Sequence, residues 1–454
     1  MTPSTLIILG ATGDLSSRLL LPALGQLLDD EPDRSLRLVG AGIDDVDSEA
    51  WRARVAEAFG PAASAHARAV AAEAEYVRID ITDADDLRML FARTSGRRIL
   101  YFAVAPAIAQ AACEALTPDD IPAETILALE KPFGSDEEGA RSLNATLAAL
   151  VPENRIFRID HFLGRSMVLN LLGVRFANRA LEPVWHAEHV ESVVIRYDES
   201  LGLEGRAGYY DKAGALADMI QSHLLQVLAL VAMEPPATLH EADFRANTTA
   251  VLRATHVQGD DPGRASRRAR YVAGEAGGER MPAYADEPGV DPARQTETLA
   301  EVTFEVRTER WAGVPFTLRS GKALGRPTRE IVLTFRPVRH LPDGFSGSTA
   351  PSVLRFSLGP DAMSLELNVN GGESPFALER ATMSTDLGTG ALRAYTEVIG
   401  NILDGDAVLA VRGDAAEQCW RIVQPVIDAW RRDAVPLDEY PAGSSGPEAW
   451  PALP

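Results

Sequence analysis

The run Leu6-Ile7-Ile8-Leu9-Gly10-Ala11-Thr12-Gly13-Asp14-Leu15 decides how the N-terminal half is read. Four consecutive apolar residues make a buried strand. The glycines that follow permit a tight turn, and a helical pattern runs from there to Leu28. At such a junction the free N–H groups of the helix N-terminus face the turn, where a pyrophosphate can sit. The spacing is shorter than the full Gly-x-Gly-x-x-Gly form, so an ordinary strand–helix turn is the alternative. Its place at the first βα junction points to dinucleotide binding.

The same alternation continues outward from this turn. Short apolar runs at 36–40, 76–79, 98–104 and 125–129 predict strands, with a helix over about 48–59. Strands separated by helices predict a parallel sheet of βαβ units. After about residue 185, longer strand-like runs follow at 190–197, 298–306, 330–336, 352–358 and 363–369. Few helices separate them, which predicts a largely antiparallel sheet with helices on one face. A long apolar helix is expected over 213–233. The stretch 258–292, rich in Gly, Pro and charge, reads as a surface excursion, and 345–349 and 441–446 read as loops. The expected fold class is α/β plus α+β. Residues 1–160 form a Rossmann-like dinucleotide-binding domain. Residues 161–454 form a domain with a large, mostly antiparallel sheet covered by helices.

The 454 residues carry 44 basic and 65 acidic side chains, a net charge of −21. That acidity argues against nucleic-acid binding but not against a small anionic substrate in a local cationic pocket. Two cysteines, Cys113 and Cys419, make no disulfide framework and fit a cytoplasmic location. The first residues have no positive charge ahead of a long apolar run, so no signal peptide is expected. No uninterrupted apolar stretch reaches the ~18–20 residues of a membrane span.

Only three of the 44 basic residues are lysines: Lys131, Lys212 and Lys322. Where Arg serves almost everywhere, a retained Lys is a candidate for a site needing a compact ammonium. Lys131 lies in Glu130-Lys131-Pro132-Phe133-Gly134 after a strand, where α/β ligands bind, with a Pro that can be cis. Lys322 ends Leu318-Arg319-Ser320-Gly321-Lys322, which taken alone is a solvated turn. The segment Arg158-Ile159-Asp160-His161-Phe162-Leu163-Gly164-Arg165 offers imidazole and guanidinium donors to an anion; a surface salt-bridge patch is the plainer alternative. Asp218-Met219-Ile220-Gln221-Ser222-His223 puts a histidine inside the apolar helix. A dehydrogenase base must be a neutral imidazole held by a carboxylate, for which Asp160 or Asp218 could serve. The second strand ends in Ile43-Asp44-Asp45, where an acidic residue suits a ribose 2′-hydroxyl and Arg a 2′-phosphate. Asp there is equally a helix N-cap. No metal site is expected: His186 and His189, three apart, read as structural.

Together these motifs resemble the glucose-6-phosphate dehydrogenase family over nearly the whole chain. The resemblance rests on Gly10-x-x-Gly13-Asp14-Leu15, Glu130–Gly134, Arg158–Arg165, Asp218–His223, Glu204-x-Arg206-x-Gly208-Tyr209-Tyr210-Asp211 and Leu318–Lys322, in order and at matching spacing. It implies hydride transfer from C1 of glucose 6-phosphate to NADP or NAD, giving 6-phosphogluconolactone, the entry step of the oxidative pentose phosphate pathway. It implies that His223 is the base and Asp160 supports its imidazolium. His161 and Arg165 would hold the phosphate, with Lys131, Glu199, Asp218 and Lys322 also on the sugar. Gly10, Ala11, Thr12, Gly13, Asp14, Leu15, Asp44, Tyr101 and Lys131 would hold the cofactor. A homodimer or homotetramer is implied as well.

Four positions depart from the family pattern: Phe162 for Tyr, Arg165 for Lys, Leu19 for a basic residue and Ser222 for Asn. Losing two phosphate donors at Phe162 and Leu19 would weaken phosphate binding by about 1–3 kcal/mol. Ile43 stands where many NADP-using members have Arg. With Asp44 beside it, a shift toward NAD or dual use is expected.

Overall fold

The computed structural model describes residues 4–203, 205, 207–372, 374–388 and 394–453. Glu204 and Arg206 of the quoted motif therefore lie outside the described residues. The chain forms two compact units. The first holds residues 1–165 and also 236–249 and 392–418, segments that the sequence placed in the second domain; the second holds the rest.

The first unit is built on β1 (Ser4–Leu9), β2 (Leu36–Gly42), β3 (Glu75–Arg78), β4 (Arg97–Phe102), β5 (Ile126–Glu130) and β6 (Ile156–Ile159). They lie side by side in the order β6-β5-β4-β1-β2-β3, all parallel, and a short strand Ala410–Val411 adds antiparallel to β6. Strand order reverses at β1, which pairs with β2 on one side and β4 on the other. Crevices at such switch points are where doubly wound sheets bind ligands. The core beneath joins β1, β4 and β5 to the helix Leu21–Asp30 through Leu24, Leu27 and Leu28, and to the late helix Ala394–Asp404 through Val398, Ile402 and Leu403. An ion-pair network centred on the half-buried Glu153 ties the returning segments in. Glu153 accepts from Arg158 and Arg245 at 2.9 Å each and from the Gly413 N–H at 3.0 Å.

The second unit is a large sheet of β7 (Val190–Asp198), β8 (Ser266–Val272), β9 (Leu299–Val306), β10 (Pro315–Gly321), β11 (Thr328–Phe335), β12 (Val353–Leu358), β13 (Asp361–Asn370), β14 (Ala377–Gly388) and β15 (Leu437–Pro441). Their order is β14-β13-β12-β11-β7-β10-β9-β8-β15. Among these strands the pairs are antiparallel except β7 with β10 and β8 with β15. Two expectations fail here. The stretch 258–292 is no mere excursion, because it contains β8, which lies between β9 and β15. Its Arg267, Arg268 and Arg270 read as a loop, but Arg268 is buried and bonds Val435 O and Asp433. Residues 345–349 include a short strand, Ser346–Gly347, paired with β14.

The apolar helix begins earlier than expected, at Ala207, breaks at Gly214 and resumes through Ala232. It is long and apolar enough to cross a membrane, and it is largely buried within the protein. Leu216–Leu224 winds in wide i→i+5 turns, a geometry frequent at functional sites. It packs on β9 and β10, and Leu225–Ala232 packs on the helix Ser166–Phe176.

Candidate active site

The first unit gathers the candidate cofactor residues at the switch point. Gly10 ends β1 at φ +79°, and a Cβ there would lie 2.5 Å from Val104 Cγ1 and 2.7 Å from Ala103 O. Only glycine tolerates both the backbone and the close approach to the end of β4. The turn is tied to β2, since the Gly10 and Ala11 N–H groups donate to Ala41 O at 2.8 and 3.2 Å. Gly13 N–H closes it onto Gly10 O at 3.0 Å. Ala11 is buried, and Asp14 points outward in an exposed pair with Arg18. A bare backbone cradle ahead of a helix fits a dinucleotide pyrophosphate.

At the tip of β2 the Thr12 hydroxyl donates to the Asp44 carboxylate. The N-cap alternative for Asp44 falls away, because Asp47 caps the helix Ser48–Phe59 by accepting from Ala50 N–H. Ile43 is 70% exposed. A cation is nevertheless present: Arg78, at the end of β3, donates to Ile43 O at 3.2 Å and to Asp45 at 3.1 Å. Nothing local in the sequence marks Arg78 for this role. The clue was the parallel register that sets Gly42 beside Arg78.

At the end of β5, Lys131 precedes Pro132 through a cis peptide. The buried Tyr101 hydroxyl donates to Glu130 Oε1 at 2.6 Å. Burial pushes Glu130 up to about 7, against the opposing hydrogen bonds of Tyr101 and Tyr395 and the Lys131 charge. Tyr395, from the late helix, also stacks on His161, with ring centroids 5.3 Å apart and 13° between planes. It was invisible in sequence because 234 residues separate it from His161. Asp160 is buried and accepts the Phe162 N–H at 3.0 Å, which fixes the turn that presents His161. Phe162 is itself buried, and the Arg165 guanidinium sits 4.9 Å over its ring. The methylene stem and cation of Arg165 thus rest on the ring that replaces the family's Tyr. Leu19 is 43% exposed.

In the second unit Glu199 and Lys322 pair beside Tyr210, whose helix continues beyond Gly214 into the turns that carry Asp218 and His223. Lys322 Nζ donates to Glu199 Oε2 at 2.9 Å and lies 5.3 Å over the Tyr210 ring. Burial, followed by the negative charges of Asp218 and Glu297, raises the Tyr210 hydroxyl. Asp218 accepts from Tyr209 at 3.4 Å, and the Ser222 hydroxyl donates to Asp218 O at 3.0 Å. His223 is 2% exposed.

The helix carrying Asp218 and His223 is held at both ends. At its N-terminus, buried Glu297 accepts the Leu216 N–H at 2.9 Å, and its carboxylate occupies the space a Cβ on Gly214 would need. At its C-terminus, Arg175 donates to Leu230 O and Val231 O at 3.3 and 3.1 Å. Trp185 donates to Val231 O at 2.9 Å and Trp311 to Ala232 O at 2.8 Å. An acceptor at the N–H end and donors at the carbonyl end satisfy backbone groups that a helix leaves unpaired at its termini. Neither Glu297 nor Arg175 stands in a recognisable motif.

These two clusters sit in stretches that match known proteins. The family model described as "Glucose-6-phosphate dehydrogenase, NAD binding domain" matches residues 7–170, and its C-terminal domain model matches residues 172–453. A glucose-6-phosphate 1-dehydrogenase of Gluconobacter oxydans (strain 621H) is 38% identical, covering 98% of this chain and 95% of its own. One from Treponema pallidum (strain Nichols) is 35% identical over 99% of this chain and 93% of its own. A solved glucose-6-phosphate dehydrogenase in complex with its substrate glucose-6-phosphate superposes with a TM-score of 0.87 at 29% identity, covering 98% of this chain and 96% of that one. With both halves matched end to end and the motif residues in place, the chain belongs to the glucose-6-phosphate dehydrogenase family.

Proposed function

We propose that the chain is a glucose-6-phosphate 1-dehydrogenase, an NAD(P)-dependent oxidoreductase acting on the CH–OH group of a sugar phosphate. A bound nicotinamide cofactor would supply the hydride acceptor for C1. His223 takes the proton of the C1 hydroxyl as the C1–O bond becomes the lactone carbonyl, and Asp160 supports the resulting imidazolium. A positioned base of this kind contributes roughly 10²–10⁴-fold to the rate. Glu199 and Asp218 accept from sugar hydroxyls, Lys322 and Lys131 donate to the sugar, and His161 and Arg165 hold the phosphate. The Gly10–Gly13 turn, Asp14, Leu15 and Tyr101 belong to the cofactor side. The observation that carries this reading is the end-to-end family match, with Lys131, Asp160, His161, Asp218, His223 and Lys322 each in its motif.

For the cofactor we propose NAD or dual use. Asp44, fixed by Thr12, suits a free 2′-hydroxyl. Arg78 is the cation within reach of a 2′-phosphate, and Asp45 competes for it. The apolar side chains Val369, Phe376, Met383 and Leu387, exposed on and beside β13 and β14, support a homodimer through that part of the sheet. A cytoplasmic location is supported by Cys113 and Cys419, which are buried as thiols rather than joined in a disulfide.

The test is initial-rate reduction of NAD and of NADP with glucose 6-phosphate and with glucose. Turnover of the phosphate sugar, lost at least 10²-fold in His223→Ala, is the expected result. No turnover by folded wild-type protein, or an unimpaired variant, overturns the proposal. Preference for glucose would mean that Phe162 and Leu19 have removed phosphate recognition.

A further inference from the structure

His186, Glu188 and His189 lie in the turn that leads into β7 and take no part in the site described above. Their ligand atoms, one from each side chain, all lie within 4.8 Å of one another. The turn is pinned on every side. Both the His189 and Val190 N–H groups donate to His186 O at 2.9 Å. Ala187 N–H donates to Arg310 O at 2.7 Å, and Arg336 Nε donates to Ala187 O at 2.8 Å. Arg336 N–H donates to His189 O at 2.6 Å. The two imidazoles meet edge to face, with centroids 5.0 Å apart.

Sequence spacing showed only two histidines three apart. The fold adds Glu188 as a third group. We propose that His186, Glu188 and His189 form a surface site for a borderline divalent cation of the Zn²⁺, Ni²⁺ and Cu²⁺ class. Two imidazoles and one carboxylate suit these ions and not Mg²⁺ or Ca²⁺, which take oxygen ligands. Metal–ligand bonds of ~2.0–2.1 Å set tetrahedral ligand atoms about 3.4 Å apart, so ligand atoms that lie within 4.8 Å close by at most about 1.4 Å around the ion. Glu188 and His189 are exposed and His186 half-buried, which leaves them the freedom to do so and leaves a fourth position to water. Among the described residues, the Glu188 carboxylate and the His189 ring have no hydrogen-bond or ion-pair partner. His186 Nδ1 accepts only a long 3.3 Å contact from Glu188 N–H, which an ion can displace. The nearby cations are Arg336 and Arg310. Arg310 is committed to Glu234 and Glu182, so its charge is offset locally.

The turn stands at the opposite end of β7 from Asp198, next to which lies Glu199. At about 3.3 Å per residue, nine strand residues separate the ion from Glu199 by roughly 30 Å. The ion therefore stabilises the entry to β7 and does not enter the reaction.

The experiment is titration of Zn²⁺ into untagged, metal-stripped full-length protein, read by calorimetry and by equilibrium dialysis. Co²⁺ absorption serves as a geometric probe. One Zn²⁺ per chain is expected, with a higher melting temperature when bound. His189→Ala should weaken binding at least tenfold and Glu188→Gln by a smaller factor, both with unchanged dehydrogenase activity without metal. Absence of saturable binding, or binding that survives intact in the His186→Ala/His189→Ala double variant, overturns the proposal.

Discussion

Replacing Gly214 by Ala tests the anchoring of the helix that carries Asp218 and His223. Gly214 has φ 66° and ψ 177°, a conformation almost confined to glycine. An added Cβ would fall 2.3 Å from Glu297 Oε1, 2.6 Å from Cδ and 2.7 Å from Oε2. The backbone strain costs about 1–3 kcal/mol. Expelling the carboxylate removes its bond to Leu216 N–H, worth about 1 kcal/mol as a helix cap. It also leaves a buried polar group without its partner, for a further ~1–3 kcal/mol. The total is about 3–7 kcal/mol, which at ~2–4 °C per kcal/mol lowers the melting temperature by roughly 6–28 °C. Differential scanning fluorimetry on Gly214→Ala, Glu297→Ala and the double variant separates the parts. The clash exists only when both side chains are present, so the double variant must be less destabilised than the sum of the singles. A Gly214→Ala protein melting within about 1 °C of wild type, or strictly additive losses, would refute the account.

Two further outcomes follow from the cofactor side. Ile43→Arg, placed beside Arg78 at the tip of β2, should raise the NADP-to-NAD ratio of kcat/KM about tenfold or more, because a guanidinium pairs bidentately with a phosphate; an unchanged ratio in steady-state kinetics would remove Ile43 from the specificity argument. Burial raises Glu130 to about 7 from its usual 4.5, so the fold favours the protonated acid. The stabilisation it gives is complete below about pH 4.5 and is lost as pH rises through about 7. Relative to Glu130→Gln, the wild type should therefore lose melting temperature progressively between pH 5 and pH 8; a constant difference across that range contradicts it.

The first unit was legible because its strands are short apolar runs with a two-sided burial, and because the Gly10 turn names its own geometry. The helix Ser48–Phe59 fell where the pattern put it. What escaped sequence was of two kinds. Strand β8 was hidden by arginines whose charges are satisfied by partners such as Val435 O and Asp433, more than 160 residues away. Tyr395, Arg78, Glu297 and Arg175 escaped because their roles come from neighbours brought in by topology, and nothing local distinguishes them. The motif residues stood out in the sequence and the resemblance supplied their roles; Asp44 as the acceptor of Thr12 and Phe162 as a packing residue needed the coordinates.

The return of residues 392–418 to the first unit has a consequence for the order in which the molecule is made. When residue 165 leaves the ribosome, β6 still lacks its outer neighbour, and Leu24, Leu27 and Leu28 still lack Val398, Ile402 and Leu403. Those partners are synthesised roughly 250 residues later, on the order of 10–50 s at ~5–20 residues per second. Throughout that interval the nascent nucleotide-binding half presents an open strand edge and an uncovered leucine face. It is the period in which a chaperone would find this chain, and in which translation stalled before residue 392 would leave an aggregation-prone product.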